Sequence, residues 1–311
     1  MLVHIGYHKT ATTWLQQHLF VPDAGFMPVA SRMELKTHVI FAEPFDPMLV
    51  RNLMQPRLEE ARRRDLLPVI SYERLSGDPY PYGERDGALI ADRLARIAPE
   101  AHILITIREQ VSALVSLYVQ YIRSSHGTLP LRRFLQMPGQ LDHLAYTALV
   151  TRYVDLFGPQ QVLVLPFEHF RADGPAFAAR IVEHAGGSGL PADLPFARRE
   201  LAALTPTAAA ARRVVNGLFA QRGRHNPRAL LPSQTLYRLA GGIIRRLPET
   251  RLNAALKTRW RALSVLIAGE RYKADNAHLA ALTGLPLGAY GYALLTDRQR
   301  EVDTSALLYP H

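Results

Sequence analysis

The sequence contains no cysteine among its 311 residues. This absence excludes disulfide bonds, thiolate nucleophiles and cysteine-ligated zinc sites. Any transition metal would therefore depend on the twelve histidines alone. Because no HExxH or related histidine spacing falls on a convincing helical pattern, we predict no bound metal.

Long apolar runs are missing as well. No run of about eighteen uncharged apolar residues is available to span a bilayer, and strand-like residues begin at Leu2, where a basic leader or an apolar signal core would stand. We therefore expect a cytoplasmic protein. With 48% hydrophobic residues, the chain is long enough to bury a full core. We expect one domain over 1–311, with an α/β core at 1–190 and a mainly helical part at 191–311.

Acidic residues are outnumbered by basic ones, 27 against 37, which gives a formal net charge of +10. Such an excess indicates an anionic partner without identifying it. Nucleic acid, an anionic membrane face and a polyanionic nucleotide would all suit this charge. The alternative is an ordinary arginine-rich surface.

Four short aliphatic or β-branched runs alternate with segments of helical periodicity. They predict strands over 2–7, 67–72, 102–107 and 161–166 and helices over 13–20, 86–97, 110–123 and 176–185. This alternation is typical of an α/β fold with a mostly parallel sheet. Beyond Pro191 the strand signals end, and we expect a helical C-terminal region.

The residues after each predicted strand are the first candidates for a site, because ligands of open parallel sheets bind beyond the carboxyl ends of the strands. Charged or ionisable side chains stand at all four positions. They are Lys9 in the turn 8–13, Glu73 with Arg74, Arg108 with Glu109, and Glu168 with His169.

The first of these turns leads from a strand directly into a helix, so it exposes unpaired N–H groups at the positive helix end. Hydroxyls of three threonines add donors, and Lys9 adds a full charge. The alternative is that Thr12 or Thr13 is simply the N-cap of the helix. The lysine in the same turn leads us to favour an anion site. The segment is not a Walker A loop, because His8 stands where a glycine should precede the lysine, and this disfavours magnesium-dependent nucleotide binding.

A specific resemblance is carried by HIGYHKTATTWLQ. This segment resembles the 5'-phosphosulfate-binding segment of sulfotransferases that use 3'-phosphoadenosine-5'-phosphosulfate. A second segment, ILITIREQVSALVSLYVQYIR, resembles the 3'-phosphate-binding strand, turn and helix of that family, with Arg108 closing the strand and Ser116 eight residues later. Two later stretches, LDHLAYTALVTRYVDLFGPQQVLVLPFEHF and RYKADNAHLAALTGLPLGAYGY, also resemble bacterial members. The resemblance covers most of the chain.

The resemblance implies a P-loop-like three-layer α/β fold, with a central parallel sheet flanked by helices. It also implies transfer of a sulfuryl group from 3'-phosphoadenosine-5'-phosphosulfate to an acceptor hydroxyl, for which we expect a carbohydrate or glycolipid, without a metal. Lys9 would act catalytically beside the bridging oxygen of the donor, and Arg108 with Ser116 would bind its 3'-phosphate. The segment that would hold the 5'-phosphosulfate comprises His8, Lys9, Thr10, Ala11, Thr12 and Thr13.

Two positions in this segment leave alternatives open. Trp14 resembles the family position that lies against the adenine, but a core role fits the pattern equally well. Ala11 stands where the family usually has glycine. Its methyl group is tolerable at negative φ, whereas positive φ would alter the approach of the backbone amide to the donor.

The acceptor requires a general base, for which three residues compete. Glu73 is the first choice, because VISYERLSG resembles a bacterial segment with a glutamate near the acceptor. His38 is the alternative, because a histidine has the better intrinsic pKa. Glu168 ranks third, since the corresponding family segment looks structural. Pairing with Arg74 or His169 would be the structural explanation for the two glutamates.

The C-terminal region is less informative. Arg271 and Lys273 are either extra cations for the 3'-phosphate or solvated surface charge, which we favour. The basic stretch 235–263 either touches an anionic membrane face or packs its leucines on the core, and we favour packing on the core.

The predicted partners are the nucleotide donor and an acceptor, with no nucleic acid. The competing hypothesis is a basic module that binds an anionic polymer or membrane without catalysis. Neither the acceptor's identity nor the oligomeric state is specified by these residues.

Overall fold

The computed structural model describes residues 1–80, 86–198, 204–220, 230–231, 233–246 and 251–295. The chain forms two compact units, each built from separate stretches of sequence. The first comprises Met1–Glu109, Asp142–Glu200 and Glu270–His311, and the second comprises Gln110–Leu141 and Leu201–Gly269. The division does not fall at residue 190, and the single domain over 1–311 stays a prediction.

The first unit is organised around a five-stranded parallel sheet. The strands are β1 (Leu2–Gly6), β2 (Phe26–Pro28), β3 (Leu67–Ser71), β4 (His102–Ile107) and β5 (Val162–Pro166). Their order is β2-β3-β1-β4-β5. All five residues of β1 are buried, as expected for a central strand with both faces covered. The predicted α/β fold with a central parallel sheet is confirmed.

Helices account for most of the remaining described residues. In chain order they are α1 (Thr12–Trp14), α2 (Arg32–Glu34), α3 (Pro47–Arg63), α4 (Gly87–Ile97), α5 (Gln110–Ser124), α6 (Leu131–Leu135), α7 (Tyr146–Phe157), α8 (Phe167–Ala172), α9 (Gly174–His184), α10 (Pro206–Phe219), α11 (Gln234–Arg245), α12 (Arg251–Ala268) and α13 (Lys273–Thr283). Helices α1 and α2 continue into π-helical turns at Leu15–Leu19 and Leu35–Ile40. None of the helices in the described ranges is long and apolar enough to cross a membrane.

One face of the sheet is covered by the segment after β1 and by α9. Leu15 and Phe177 pack with Leu104 and Leu165 of the sheet in one buried cluster. Helix α7 contacts β4 and β5, and α3 contacts β2 and β3. The sheet is thereby fixed in position, and the loops after its strands project from a rigid support.

The second unit is helical and consists of α5, α6, α10, α11 and α12. Its centre is the fully buried Asn216, whose side-chain amide donates to the carbonyls of Ile122 at 2.8 Å and Gly127 at 2.9 Å. The Tyr237 hydroxyl donates to the Asn216 side-chain oxygen at 3.2 Å. A single satisfied amide thus joins α10, α11 and the end of α5. The predicted helical C-terminal region is confirmed, and α13 contacts α7 within the first unit.

Candidate active site

The loop that follows β1 has an unusual backbone. Lys9 has φ of +72° and Ala11 has φ of +66°, both in the left-handed region that residues with a side chain rarely adopt. Each costs roughly 1–2 kcal/mol relative to a right-handed residue. Backbone strain of this kind concentrates at ligand-binding turns. Ala11 therefore adopts the positive φ for which the sequence predicts an altered approach of its amide.

The start of the helix after this loop has no side-chain cap. The N-cap position is Ala11, and both Thr12 and Thr13 lie inside the helix. The alternative interpretation of Thr12 or Thr13 as an N-cap is therefore wrong. The Thr12 hydroxyl is buried and has no hydrogen-bond partner among the residues that the structure describes. An uncapped helix start beside an unpartnered hydroxyl fits an anionic group.

Thr10 has a different position. Its hydroxyl donates to the Tyr7 carbonyl at 2.6 Å and shares a hydrogen bond of 2.8 Å with the Thr106 hydroxyl. The hydroxyl therefore holds the loop against β4, and any ligand contact of Thr10 falls to its backbone amide.

The hydrogen bond between Thr10 and Thr106 belongs to a row of hydrogen-bonded polar side chains that we did not identify from the sequence. The His4 ring bonds the Thr106 hydroxyl at 3.2 Å on one side and the Ser71 hydroxyl at 2.8 Å on the other. The row crosses β3, β1 and β4 beneath the loop. Polar residues inside three otherwise apolar strands were the signal that could have revealed it.

Gly6 leaves room for this arrangement. A Cβ atom at Gly6 would lie 2.4 Å from Thr12 Oγ1 and 2.8 Å from His4 Nε2. Both distances are far below van der Waals contact. The last residue of β1 must therefore lack a side chain for the loop to close over the strand.

Arg108 lies directly beside this loop. Its Nη1 donates to the Lys9 backbone carbonyl at 3.1 Å, and its guanidinium carbon lies 4.9 Å from the centroid of the Phe167 ring. Its own carbonyl accepts a 2.6 Å hydrogen bond from the Tyr146 hydroxyl. Burial lowers the pKa of Arg108, a shift that the Glu168 carboxylate opposes. The structure thus places the Arg108 guanidinium against the backbone of the loop that contains Lys9.

Ser116 lies within α5, in the helical unit, and its side chain is partly buried. The predicted partnership of Ser116 with Arg108 stays a prediction.

Trp14 lies in the core. It is 3% exposed and belongs to the buried cluster under the sheet. Its indole Nε1 donates to the Pro195 carbonyl at 3.1 Å, and its ring stacks on Phe196 with centroids 5.0 Å apart. Phe170 packs against it at 5.0 Å. This packing favours the core role of Trp14, because other side chains already surround the ring. The contact of Trp14 with the adenine stays a prediction.

Glu73 opens a 3₁₀ turn (Glu73–Ser76) at the end of β3. One of its carboxylate oxygens is buried without a hydrogen-bond partner in the described part of the chain. Its neighbour Arg74 forms an ion pair with Asp78 at 2.6 Å. Pairing with Arg74 therefore does not explain the Glu73 carboxylate.

The other two candidate bases differ from Glu73. Both carboxylate oxygens of Glu168 accept hydrogen bonds, one from the Glu109 amide at 3.1 Å and one from the Tyr292 hydroxyl at 3.2 Å. Burial raises the pKa of Glu168. These bonds indicate a structural role. His38 lies in the π-helical turn Leu35–Ile40 and is partly exposed.

Two histidine rings lie close together at the loop, the buried His8 within it and the partly buried His143. The His8 and His143 ring centroids are 5.9 Å apart, and the His143 centroid lies 5.0 Å from that of Tyr7. Burial lowers the pKa of His8 well below its usual value, with smaller contributions from His143, Arg74 and Lys9. Burial lowers the pKa of His143 to about 4. Both rings are therefore neutral at pH 7, and the positive charge at the loop comes from Lys9 and Arg108. His143 comes from a turn far along the chain and carries no motif that could have identified it from the sequence.

The late basic residues form surface ion pairs. Arg271 bonds the Asp142 carboxylate, and the Lys273 ammonium lies 2.8 Å from a Glu270 carboxylate oxygen. These contacts favour the interpretation of Arg271 and Lys273 as surface charge. No cluster of three metal-ligating side chains occurs in the described ranges.

Comparison with known proteins gives one family match. Residues 88–190 match the model of the sulfotransferase family. This segment contains β4, Arg108, Ser116 and β5, whereas the Lys9 loop lies outside it. The match confirms the resemblance to sulfotransferases over this part of the chain. No curated protein matches the chain.

Two solved structures are similar to the chain. A sulfotransferase from Alicyclobacillus acidocaldarius is 19% identical over 84% of this chain and 98% of its own, with a TM-score of 0.46. The mouse sulfotransferase SULT7A1 complexed with PAP is 14% identical over 83% of this chain and 88% of its own, with a TM-score of 0.38.

Proposed function

We propose that this chain, which carries a sulfotransferase-family segment at 88–190, transfers a sulfuryl group from 3'-phosphoadenosine-5'-phosphosulfate to a hydroxyl of a carbohydrate or glycolipid. The observation that carries the proposal is the 3.1 Å hydrogen bond from Arg108 to the Lys9 carbonyl. This bond joins the loop after β1, which lies outside the family match, to the Arg108 segment after β4, which lies within the family match. Two motifs of the same resemblance, only one of them within the family match, therefore meet at one edge of the sheet.

The loop after β1 supplies the site for the 5'-phosphosulfate. Thr12 and Thr13 hold the phosphate with their hydroxyls, and the amides of the loop point to it from the uncapped helix start. The unpartnered Thr12 hydroxyl supports this assignment. His8 belongs to the same loop, and burial lowers its pKa well below its usual value, so its ring adds no charge to the site.

Arg108 binds the 3'-phosphate with a charge-assisted pair of hydrogen bonds, and Ser116 donates a third. Such a site selects the 3'-phosphorylated donor over ATP and AMP.

When bound, the donor supplies the sulfuryl group. The acceptor oxygen forms a bond to the sulfur while the bond from the sulfur to the bridging oxygen breaks. The bisphosphate leaves with the electron pair of the broken bond. Lys9 neutralises the negative charge that develops on the bridging oxygen. Glu73 takes the proton of the acceptor hydroxyl, with His38 as the alternative base. The remaining catalysis consists of holding the two oxygens in line.

The proposal is tested by incubating the purified protein, without magnesium, with a radiolabelled donor and a panel of saccharides and glycolipids. Lys9→Met should lower turnover by about two orders of magnitude, since loss of one such charge contact costs on the order of 3 kcal/mol. Lys36→Met, a change at an exposed lysine of the π-helical turn, is the matched control and should leave turnover unchanged. Equal turnover of the two variants would contradict the proposed role of Lys9.

A non-catalytic basic module would behave differently. It would transfer no label to any acceptor, and it would bind many polyanions with a steep dependence on salt.

A further inference from the structure

Helix α11 presents an apolar stripe to solvent. Leu236, Leu239 and Ile243 stand at the i, i+3 and i+7 positions of one helix face and are between 46% and 67% exposed. The opposite face of the same helix is buried through Gly241 and Ile244. The helix therefore already has an inner face, and the stripe is a second apolar surface.

The stripe continues into the residues before the helix. Leu230 and Leu231 are both exposed, and their backbone amides donate to the carbonyls of Gly217 at 3.2 Å and Leu218 at 2.8 Å. These hydrogen bonds fix the two leucines against the end of α10. Five large apolar side chains thus lie exposed within fourteen residues of sequence.

The sequence stretch that contains this surface is basic. The stretch 230–269 contains seven basic residues and a single glutamate, and neither α11 nor α12 contains an acidic residue. Exposed cations stand on or beside the two helices at Arg238, Arg246, Arg251, Lys257 and Arg259. An amphipathic helix with an exposed apolar face and basic flanks is typical of segments that lie in the interface of an anionic membrane.

We propose that α11, with Leu230 and Leu231, docks on an anionic lipid surface and inserts its apolar stripe between the headgroups. The charge favours lipid over a second copy of the chain, because a symmetric contact through this face would bring the same cations together. The apolar stripe disfavours a polynucleotide, which would be held chiefly by cations. From the sequence, we favour packing of these leucines on the core. Their exposure in the structure favours contact with a membrane instead. The proposal does not depend on sulfuryl transfer.

The test is co-sedimentation of the full-length protein with vesicles of phosphatidylcholine, alone or mixed with phosphatidylserine. We expect binding to the mixed vesicles and little binding to phosphatidylcholine alone. The combined variant Leu236→Gln, Leu239→Gln and Ile243→Gln keeps every charge, and we expect it to bind at least about tenfold more weakly. Met33→Gln, which changes a 68% exposed side chain of α2, is the matched control and should bind like the wild type.

A second pair of variants tests the charges. Arg238→Ser and Arg246→Ser should each weaken binding to mixed vesicles roughly fivefold, since a surface cation contributes about that factor. Arg62→Ser, at an exposed position of α3, should have no such effect.

Two results would overturn the proposal. One is binding of the triple variant equal to that of the wild type, because adsorption would then follow from net charge alone. The other is a failure of the wild-type protein to bind mixed vesicles. If light scattering then shows that the wild type is a dimer and the triple variant a monomer, the stripe is a contact between two copies of the chain. Thermal unfolding checks that the triple variant is folded, and Leu239→Gln alone, with an expected loss of a few fold, serves if it is not.

Discussion

The guanidinium of Arg108 donates a hydrogen bond to the backbone carbonyl of Lys9 across 3.1 Å. The contact joins the carboxyl ends of two adjacent parallel strands, β1 and β4. Arg108, which is predicted to bind the 3'-phosphate, therefore also fixes the loop that is predicted to bind the 5'-phosphosulfate. Substitution of Arg108 should affect both ends of the proposed nucleotide.

Ala11 provides a prediction about stability. Its φ of +66° suits glycine better than alanine. Ala11→Gly should therefore raise the free energy of unfolding by about 0.5–1 kcal/mol. Ala255→Gly, at an exposed position within α12, should lower it by about 1 kcal/mol. Urea unfolding of both variants checks the sign, and a loss of stability in Ala11→Gly would contradict the strained conformation.

Gly6 should tolerate no side chain. A Cβ atom there would overlap Thr12 Oγ1 and His4 Nε2. Gly6→Ala should therefore lower the free energy of unfolding by about 1–3 kcal/mol. Gly217, inside α10, has open space around its Cβ position, so Gly217→Ala should stabilise the protein by about 0.5–1 kcal/mol. Unfolding curves that showed the same effect for the two variants would refute the packing described around Gly6.

The partly buried His143 should make stability depend on pH. Burial lowers its pKa to about 4, against about 6.5 in the unfolded chain. Between these values the unfolded state binds more protons, so the free energy of unfolding falls as the pH falls from 6.5 to 4. His143 alone should account for a loss on the order of 3 kcal/mol.

In His143→Gln, the total loss of unfolding free energy between pH 6.5 and pH 4 should be smaller by about that amount. Urea unfolding at several pH values measures this loss. His278→Gln changes an exposed histidine of α13 and should leave the slope unaltered. A slope in His143→Gln equal to that of the wild type would show that His143 is not buried as a neutral ring.

The choice of base leads to a kinetic prediction. Glu73→Gln should lower kcat by about a hundredfold or more and leave binding of the bisphosphate product unchanged, because a general base acts on the acceptor and not on the nucleotide. His38→Gln should change kcat by only a few fold. If the His38 variant lost the activity and the Glu73 variant kept it, the two assignments would be exchanged.

Most of the sheet could be predicted from the sequence. Four strands lie within one residue of their predicted ends, because each is a continuous apolar run bounded by polar or turn residues. Strand β2 was missed because Phe26–Pro28 has three residues and ends in proline, which gives no periodic signal. Helix α3 was not identified, although Asp46 and Pro47 form a typical helix start.

The site could be predicted only in part. Lys9 and Arg108 could be named as candidates because each follows a strand and lies in a recognisable motif. Their hydrogen bond depends on the adjacency of β1 and β4, which the sequence does not specify. His143 and the row of polar side chains through His4 depend on tertiary packing, and the burial of Trp14 depends on Phe196 and Pro195 from a distant loop.

Calorimetric titration with adenosine 3',5'-bisphosphate, without magnesium, is the decisive test of the proposed donor site. We expect the protein to bind the bisphosphate much more tightly than AMP or ATP. Arg108→Ala should lose this preference, while Arg62→Ala at an exposed position of α3 should keep it. Equal affinity of the wild-type protein for the bisphosphate, AMP and ATP would contradict a site for the sulfuryl donor.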